Sequence, residues 1–333
     1  MNLVTGGTGM VGMHLMAGLL RRGERVRALI RQGSSRVATD RFLVHSGLNP
    51  ADIEWVEGDV LDIGALEDAL DGCETVYHAA ALVSFHRRDR RLMYQTNVEG
   101  TANVVNLALD GGAKRLVYIS SVAALGRNTK GIPVTEDDEW KDGPELSHYS
   151  RSKHLAEREV WRGREEGLEV VVVNPSVILG IGDFSRSSAE LFAKVAQGLP
   201  VYPQGSNGFV AAEDVASACF HLMDNGLTNE RYLLNGGHLP LRELFTKMAA
   251  ELGTKPPHIE LRPWMLTLGW LGAALVSVFT GKRAFITREN IRNAGLHNRY
   301  ETARIEKTGF AFKPLDRVIS ETSAYLKTHR ETA

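Results

Sequence analysis

Tyr149 and Lys153 are the two residues whose types and spacing most directly suggest chemistry. They stand four residues apart in a segment with helical periodicity, residues 149–166, so their side chains lie on one helix face. A free tyrosine has a pKa of about 10 and is a poor base near neutral pH. A neighbouring ammonium lowers that pKa, and the tyrosine can then exchange a proton with a carbonyl/alcohol pair. Tyrosine-x-x-x-lysine by itself also occurs in helices by chance.

Ser121 gives this pair more weight because it follows an apolar strand at residues 116–120. The ends of parallel strands point into the ligand crevice of an open α/β sheet. A hydroxyl there would hold the substrate oxygen beside Tyr149. Asn97 precedes a helical segment and either holds a water in a proton relay to Lys153 or caps the helix; we favour a structural role.

Three glycines predict a site for a dinucleotide. Gly6, Gly9 and Gly12 follow a strand at residues 3–5, and the helix opens at Met10 and Val11. Gly6 permits a tight turn, Gly9 lets the backbone approach a diphosphate, and Gly12 lets the helix pack closely on the strand. The unpaired amides at the start of the helix would then face the phosphates.

The end of the second strand decides which nicotinamide cofactor fits. A carboxylate there accepts hydrogen bonds from a free ribose 2′-hydroxyl and repels a 2′-phosphate. This sequence has Ile30 and Arg31 at that position, with Arg36 close by. An arginine forms a bidentate pair with a phosphate. The pattern therefore favours NADP, with NAD as the alternative.

Two further strand ends are predicted to contact the cofactor. Asp59 follows the third strand and either accepts a hydrogen bond from the adenine amino group, with Val60 packed on the ring, or caps the next helix. Ala79, Ala80 and Ala81 follow the fourth strand. Their small side chains would let the cofactor cross the carboxyl edge of the sheet.

The elements that position these residues alternate along the first two-thirds of the chain. Apolar strands are predicted at residues 3–5, 26–30, 53–57, 75–79, 116–120 and 170–174, and helices at residues 10–22, 92–109 and 149–166. Such alternation is typical of a Rossmann-type, doubly wound parallel sheet with helices on both faces. Strands that are apolar throughout fit burial on both faces.

The pattern changes after residue 175, where glycine and proline become frequent. A strand at 209–212 and a helix at 213–224 are predicted to return to the sheet, and helices are predicted at 241–252, 263–280 and 315–327. The sequence thus predicts an NADP-binding domain at residues 1–175 plus 209–236. A smaller, mainly helical substrate-binding lobe would comprise residues 176–208 plus 237–333.

Composition excludes several classes of function. The 333 residues are 43% hydrophobic and 24% charged with a formal net charge of −1, so no overall field attracts nucleic acid or an anionic membrane. Cys73 and Cys219 are isolated, which indicates a reducing compartment and offers no metal-ligand spacing. No signal peptide or transmembrane run is evident, so we expect a cytoplasmic protein with a small-molecule substrate. A homodimer is an open alternative.

With these motifs in order, the chain resembles the extended short-chain dehydrogenase/reductases, within the NAD(P)-dependent epimerase/dehydratase superfamily. It looks most like the branch of dihydroflavonol reductases and 3β-hydroxysteroid dehydrogenase-like proteins. The supporting segments, beside the glycine motif and the Ser–Tyr–Lys set, are residues 26–31, 78–80, 97–101, 120–126, 173–176, 209–210, 214–216 and 280–283.

The resemblance implies that Ser121, Tyr149 and Lys153 are catalytic. It also implies that Pro175, Ser176 and Val177 present backbone groups to the nicotinamide carboxamide. Ser120, Tyr149 and Lys153 complete the predicted cofactor contacts. The expected activity is reversible hydride transfer between NADPH and a ketone or aldehyde of a mainly apolar molecule.

Two other functions stay open from sequence. A sugar-nucleotide epimerase or dehydratase with tightly held NAD would use the same residues. Such enzymes often carry an arginine just before the strand that here begins at Phe209, whereas this chain has Gly208. A non-catalytic dinucleotide-binding regulator would have no need of the Ser–Tyr–Lys set.

Weaker signals have two interpretations each. The basic run at residues 86–91 either binds an anionic substrate group or is a solvated loop, which we favour. His78 and His148 are interpreted as walls of the site. The acidic loop at 136–139 is a mobile lid or a loop surface. The apolar segment 264–279 either walls a hydrophobic pocket, packs as a lobe helix, contacts a second subunit or dips into a membrane interface.

Overall fold

The computed structural model describes residues 1–126, 132–144, 146–262, 265 and 295–329. Its strands, in chain order, are β1 Asn2–Thr5, β2 Val26–Ile30, β3 Ile53–Glu57, β4 Thr75–His78, β5 Arg115–Ile119, β6 Glu169–Pro175, β7 Val177–Leu179, β8 Val201–Pro203, β9 Ser206–Ala211, β10 Glu230–Leu234, β11 Gly237–Pro240 and β12 Ile259–Leu261.

The helices of the described residues are numbered in the same way. They are α1 Met10–Arg21, α2 Val37–His45, α3 Ile63–Leu70, α4 Arg90–Tyr94, α5 Gly100–Asp110, α6 His148–Glu165, α7 Ala189–Ala196, α8 Ala212–Asp224, α9 Leu241–Leu252, α10 Ala303–Glu306 and α11 Leu315–His329. A π-helical turn, Gln95–Glu99, lies between α4 and α5 and interrupts the single helix predicted for residues 92–109.

Seven strands form one parallel sheet in the order β10-β6-β5-β4-β1-β2-β3. β1 is an interior strand and pairs with β2 on one side and β4 on the other, with Val4 opposite both Ala28 and Tyr77. Val170 to Val173 in β6 are fully buried, as expected of a strand covered on both faces. The predicted doubly wound Rossmann-type fold is confirmed.

Two layers of helices cover this sheet. α1, α2 and α8 pack on one face through a core that includes Met16, Phe42 and Leu222. α3, α5 and α6 pack on the other face, where Leu66 and Val105 belong to a second buried cluster. Because the strands are all parallel, the carboxyl ends of β1, β4, β5 and β6 lie along the same rim of the sheet.

The second lobe is mainly helical and carries two small sheets, β11-β9-β7 and β12-β8. A third buried cluster joins α7, α9 and α11. The strand predicted at residues 209–212 spans Ser206–Ala211 and belongs to the three-stranded sheet, because β10 occupies the edge of the large sheet beside β6. The helix after it, α8, does pack on the large sheet.

The division of the chain into two domains stays a prediction. β10, which follows the lobe segment in sequence, pairs with β6 and so supports a discontinuous first domain. The helix predicted for residues 263–280 and the apolar segment 264–279 lie outside the described residues, Met265 excepted. Within the described part of the chain, none of the helices is both long and apolar enough to cross a bilayer.

Candidate active site

The predicted glycine motif forms a tight turn between β1 and α1. Gly6 has a φ of +73°, and a Cβ there would lie 2.7 Å from the backbone carbon of Ala79 and the nitrogen of Ala80. A Cβ on Gly12 would overlap the carbonyl oxygen of Gly6. Both glycines are therefore required for the turn to approach the end of β4 and for α1 to approach the turn.

The start of α1 fits a diphosphate. Gly9 is the N-cap residue, and no side chain of the described residues caps the first turn, which begins with Met10 and Val11. A Cβ on Gly9 would meet only the Gly6 oxygen, at 3.1 Å, so the space above it is open. Free amides, an open approach and the helix dipole are the requirements of an anion site.

The residues predicted for the adenosine end lie around β2 and β3. Arg31 is exposed at the tip of β2, and the guanidinium carbon of Arg36 stands 5.2 Å from the Trp55 ring centroid. Asp59 accepts a hydrogen bond from the Leu61 amide at 3.0 Å, whereas the N-cap of α3 is Asp62. The capping alternative for Asp59 is therefore wrong, and its adenine contact stays a prediction.

Val60, predicted to pack on the adenine ring, is almost fully buried in the protein. It is 4% exposed, and a Cβ on Gly100 would overlap its side chain. Asn103 donates to the Val60 carbonyl at 3.0 Å and fixes this segment against α5. Val60 thus belongs to the buried cluster that includes Leu29 and Val104, and its adenine contact stays a prediction.

Ser121 and Tyr149 meet at the carboxyl rim of the sheet. Ser121 follows β5 and opens a 3₁₀ turn, where its hydroxyl accepts a hydrogen bond from the Ala123 amide at 3.1 Å. Tyr149 lies in the first turn of α6, which Ser147 caps by accepting from the Ser150 amide at 2.9 Å. Burial raises the pKa of Tyr149, and a hydrogen bond with the Ser121 side chain lowers it by less.

The sequence predicted that Lys153 lowers the pKa of Tyr149, and the structure shows the opposite net shift. Burial is the largest cause of the shift at Tyr149. Burial also lowers the pKa of Lys153, to about 7, although the negative charge of Glu157 raises it in part. An amine that is only partly charged near neutral pH exerts a weak field on its neighbour.

Lys153 is 1% exposed and is held from beneath by β5. Its Nζ donates to the Tyr118 hydroxyl at 2.7 Å and to the Ile119 carbonyl at 2.8 Å, and it stands 4.2 Å from the Tyr118 ring centroid. An ammonium has three donors, so one remains for a ligand above it.

Tyr118 connects this amine to a chain of buried polar groups. The Tyr118 phenol bonds the Thr101 hydroxyl, and Thr101 Oγ1 lies 2.9 Å from Nε2 of His78. Nδ1 of His78 lies 2.6 Å from the hydroxyl of Thr5, at the end of β1. Burial lowers the pKa of His78 to about 3, so its ring is neutral. His78 therefore joins β1 to α5 beneath the site and is not a wall of the cleft.

A buried carboxylate, Glu157, lies one helical turn beyond Lys153 and is 2% exposed. Ser120 Oγ and Asn174 Nδ2 each donate to Glu157 Oε1 at 2.5 Å, and Arg231 lies 3.5 Å from Oε2. The Ser120 hydroxyl therefore uses its hydrogen on Glu157, below the rim of the sheet. Its predicted cofactor contact would have to come from its backbone.

Sequence reasoning missed Tyr118 and Glu157. The signals were weak ones: a tyrosine inside an apolar strand, on the same face as Ser120, and a glutamate one turn beyond Lys153. These signals do not identify the partners of the two residues. Tyr118 bonds Lys153 in α6, and Glu157 bonds Ser120 and Asn174, so each contact joins segments that are distant in sequence.

Asn97 has the structural role that the sequence favoured. It sits in the π-helical turn, accepts from the Leu82 amide at 2.7 Å, and donates to the Leu82 carbonyl and to Ser152 Oγ, both at 3.0 Å. It thereby fixes the loop after Ala81 against α6. Among the described residues no hydrogen bond joins Asn97 to Lys153.

Backbone groups at two strand ends shape the rest of the rim. The Ala79 and Ala80 amides donate to the carbonyl and hydroxyl of Thr5, both at 3.2 Å. After β6, Pro175 has no amide hydrogen, and the Ser176 amide donates to Leu234 at 2.9 Å. The Ser176 hydroxyl is buried without a hydrogen-bond partner in the structure. An unpaired polar atom at the predicted nicotinamide position fits a missing ligand group.

Aromatic and basic side chains flank the cleft. The Phe85 ring lies edge-on to Tyr149 at 6.1 Å, and the Tyr94 hydroxyl lies 3.5 Å from His148 Nδ1. The guanidinium of Arg90 is 6.0 Å from the Tyr94 ring. The basic run at residues 86–91 thus begins near the cleft. Its arginines are exposed to solvent, which supports the interpretation of this run as a solvated loop.

The acidic loop at residues 136–139, predicted to be a mobile lid or a loop surface, is bonded to β10 and α10. Glu136 is 4% exposed and accepts a hydrogen bond from the Leu233 amide at 2.8 Å. Asp137 pairs with Arg304 at 2.5 Å, and Asp138 accepts from the Thr135 amide at 2.8 Å. These contacts argue against the mobile-lid interpretation.

The fold and this site define a class of protein: an NAD(P)-dependent enzyme of the extended short-chain dehydrogenase/reductase type. Comparison with family models gives the particular family. The model described as the NAD dependent epimerase/dehydratase family matches residues 2–234. The chain therefore belongs to that family.

Individual relatives agree with this assignment. The chain is 34% identical over 268 residues to sterol demethylase protein B of Methylococcus capsulatus, covering 79% of this chain and 78% of the relative. It is 28% identical to a putative dihydroflavonol 4-reductase of Synechocystis, covering 98% and 94%. The crystal structure of gox2253 superposes with a TM-score of 0.81 at 30% identity, covering 98% of both chains.

Proposed function

We propose that the protein is an NADP-dependent oxidoreductase that reversibly transfers a hydride between the cofactor and a ketone or aldehyde of a mainly apolar small molecule. The observation that carries the proposal is the interaction of the Ser121 side chain with the half-buried phenol of Tyr149, which lowers the pKa of that phenol. These groups stand at the sheet rim beside Lys153. A pure binding module has no use for this arrangement.

The side chains divide the chemistry as follows. The nicotinamide ring supplies or accepts the hydride when the cofactor is bound. Ser121 holds the substrate oxygen by a hydrogen bond, and Tyr149 donates the proton that this oxygen needs on reduction. Because burial raises the pKa of Tyr149, the phenol is protonated at neutral pH.

The preference for NADP is supported by the charges around β2. The tip of this strand carries Arg31 and no carboxylate. Arg36 is oriented over the Trp55 ring, and the half-buried carboxylate of Asp40 lies 3.9 Å away. A guanidinium held in this way is ready to pair with a 2′-phosphate.

An apolar substrate is supported by the cleft and by the relatives. Phe85 is 36% exposed beside Tyr149, and Val83 is 57% exposed in the same loop. The names of two relatives refer to sterols and to a dihydroflavonol, which are ring systems with large apolar surfaces. Burial of such a surface provides most of the binding energy in pockets of this kind.

A thermal-shift comparison of NADPH with NADH, followed by a panel of aromatic and polycyclic ketones and aldehydes, tests the proposal. We expect a larger shift with NADPH and oxidation of NADPH with at least one apolar carbonyl compound. Equal shifts with the two cofactors would remove the NADP preference. Absence of turnover across the panel would remove the reductase assignment.

The sugar-nucleotide alternative predicts a different result. Purified protein would carry tightly bound NAD, and no net NADPH would be consumed. The structure disfavours this function at one position: a Cβ on Gly208 would overlap the amide oxygen of Asn235, so β9 has no room for a longer side chain there.

A further inference from the structure

The loop after β7 returns from the second lobe to the glycine turn. His14 in α1 makes a hydrogen bond to the Ile181 carbonyl at 3.1 Å. Gly182 packs against Met10, because a Cβ on Gly182 would lie 3.1 Å from the terminal methyl group of Met10. The loop therefore lies against the first two turns of the helix whose amides face the predicted diphosphate.

Arg186 brings this loop to the glycine turn itself. Its Nη2 donates to the Thr8 carbonyl at 2.7 Å. This is the one side-chain hydrogen bond to residues 6–12 within the part of the chain that the structure describes. Thr8 O and Gly9 N belong to the same peptide group. The guanidinium thus stands next to the residue that caps α1.

Neighbouring groups fix the orientation of Arg186. Its Nε pairs with Asp183 at 2.9 Å, and Asp183 in turn accepts from the Ser185 amide at 3.0 Å and from the Ser185 hydroxyl at 2.6 Å. A guanidinium has five N–H donors. The two contacts that it makes within the described residues leave three donors, on a side chain that is 46% exposed. The guanidinium of Arg186 is therefore held in one orientation and keeps N–H donors for a ligand.

The glycine turn lacks a positive side chain of its own. Residues 1–20 contain no lysine, arginine, aspartate or glutamate. A dinucleotide places two negative phosphates over this turn, where the helix amides supply only partial charges. A full positive charge near the diphosphate would strengthen binding through charge-assisted hydrogen bonds.

We propose that Arg186 is a diphosphate-binding residue, contributed by the second lobe to the cofactor site. The inference rests on the dinucleotide site of the proposed function and adds a residue outside the glycine motif. It also gives a physical connection between the lobes: occupation of the diphosphate site would hold the loop of Arg186 against α1.

Dissociation constants measured by fluorescence or calorimetry test this. The variant is Arg186→Gln, and the probes are NADPH, ADP-ribose and 2′-AMP, of which only the first two contain the diphosphate. We expect about a tenfold weaker binding of NADPH and ADP-ribose, as for loss of one charge-assisted bond, and unchanged binding of 2′-AMP. Arg186→Lys should recover part of the affinity, because it keeps the charge without the planar group.

Arg317→Gln is the matched control, since Arg317 is an exposed lobe arginine paired with Glu321 at 2.7 Å. Unchanged affinities in Arg186→Gln, with or without a lower melting temperature of the free protein, would show that Arg186 only connects the lobes and would overturn the inference. Equal weakening of 2′-AMP and ADP-ribose would overturn it as well. If the unmodified protein binds none of the probes, the dinucleotide site itself is wrong, and the proposed function fails with it.

Discussion

Lys153 Nζ lies 2.7 Å from the hydroxyl of Tyr118, a residue on the strand beneath it. Tyr118 is fully buried and bonds Thr101, so the amine is connected through a polar chain to His78 and β1. The position of the Lys153 amine thus depends on the large sheet as much as on its own helix.

Tyr118→Phe removes one of the two protein acceptors of Lys153 and leaves the shape of the core intact. A hydrogen bond to a charged group contributes about 1.5–3 kcal/mol, so we expect kcat to fall about tenfold or more with little change in cofactor affinity. Steady-state kinetics and a cofactor titration measure both effects. Tyr77→Phe, a buried tyrosine on the opposite face of the sheet that packs on Phe220, is the control; a similar loss there would point to general destabilisation.

Glu157→Gln changes the electrostatics of Lys153 without changing its contacts. Burial lowers the pKa of Lys153 to about 7, and the charge of Glu157 raises it. Removal of that charge lowers the pKa further. Activity that needs the ammonium is lost as the pH rises through this pKa, so the alkaline limb of the kcat profile should move to lower pH. Glu166→Gln, an exposed glutamate of the same helix region that pairs with Arg162, should leave the limb in place; a profile unmoved by both changes would contradict the assignment.

Tyr149→Phe removes the proton donor. We expect turnover to fall by at least about 100-fold, the usual size of a general acid effect. NADPH affinity should change little, because the aromatic ring is kept. Tyr94→Phe alters a nearby phenol whose hydroxyl lies 3.5 Å from His148 Nδ1 and should keep most of the activity. Substantial turnover in Tyr149→Phe would eliminate the mechanism.

Gly12→Ala tests the close approach of α1 to the glycine turn. The added methyl group would overlap the Gly6 carbonyl, and we expect a loss of about 1–3 kcal/mol of unfolding free energy together with weaker cofactor binding. Urea unfolding and a cofactor titration report the two effects. Gly64→Ala in α3 meets no atom closer than 3.8 Å and should stabilise the protein by about 0.5–1 kcal/mol. Equal effects of the two substitutions would argue against the packing explanation.

Arg36→Ala tests the choice of cofactor. We expect the dissociation constant of NADPH to rise about tenfold, while that of NADH stays the same, because only NADPH carries the 2′-phosphate. Arg22→Ala is matched to it, since Arg22 also stands over an aromatic ring, that of Phe220 at 5.3 Å. A parallel weakening of NADH binding would place Arg36 outside the 2′-phosphate site.

Local patterns of the sequence predicted much of the fold. The strands at 26–30 and 53–57 and the helix at 241–252 agree with the structure to the residue. The glycine motif and the Tyr149–Lys153 spacing were visible because each lies within one element or at its junction with the next. Periodicity and steric demand of this kind act over a few residues, and a sequence displays them directly.

Tertiary structure decided the surroundings of those residues. The partners of Lys153 come from β5. Those of Glu157 come from the residue after β5, from β6 and from β10, and Arg186 reaches the glycine turn across 178 positions of sequence. Burial, which reverses the expected pKa shift of Tyr149, likewise depends on how the layers close around it. Such contacts arise only when distant segments pack together, because no local spacing specifies which polar groups will share one buried space.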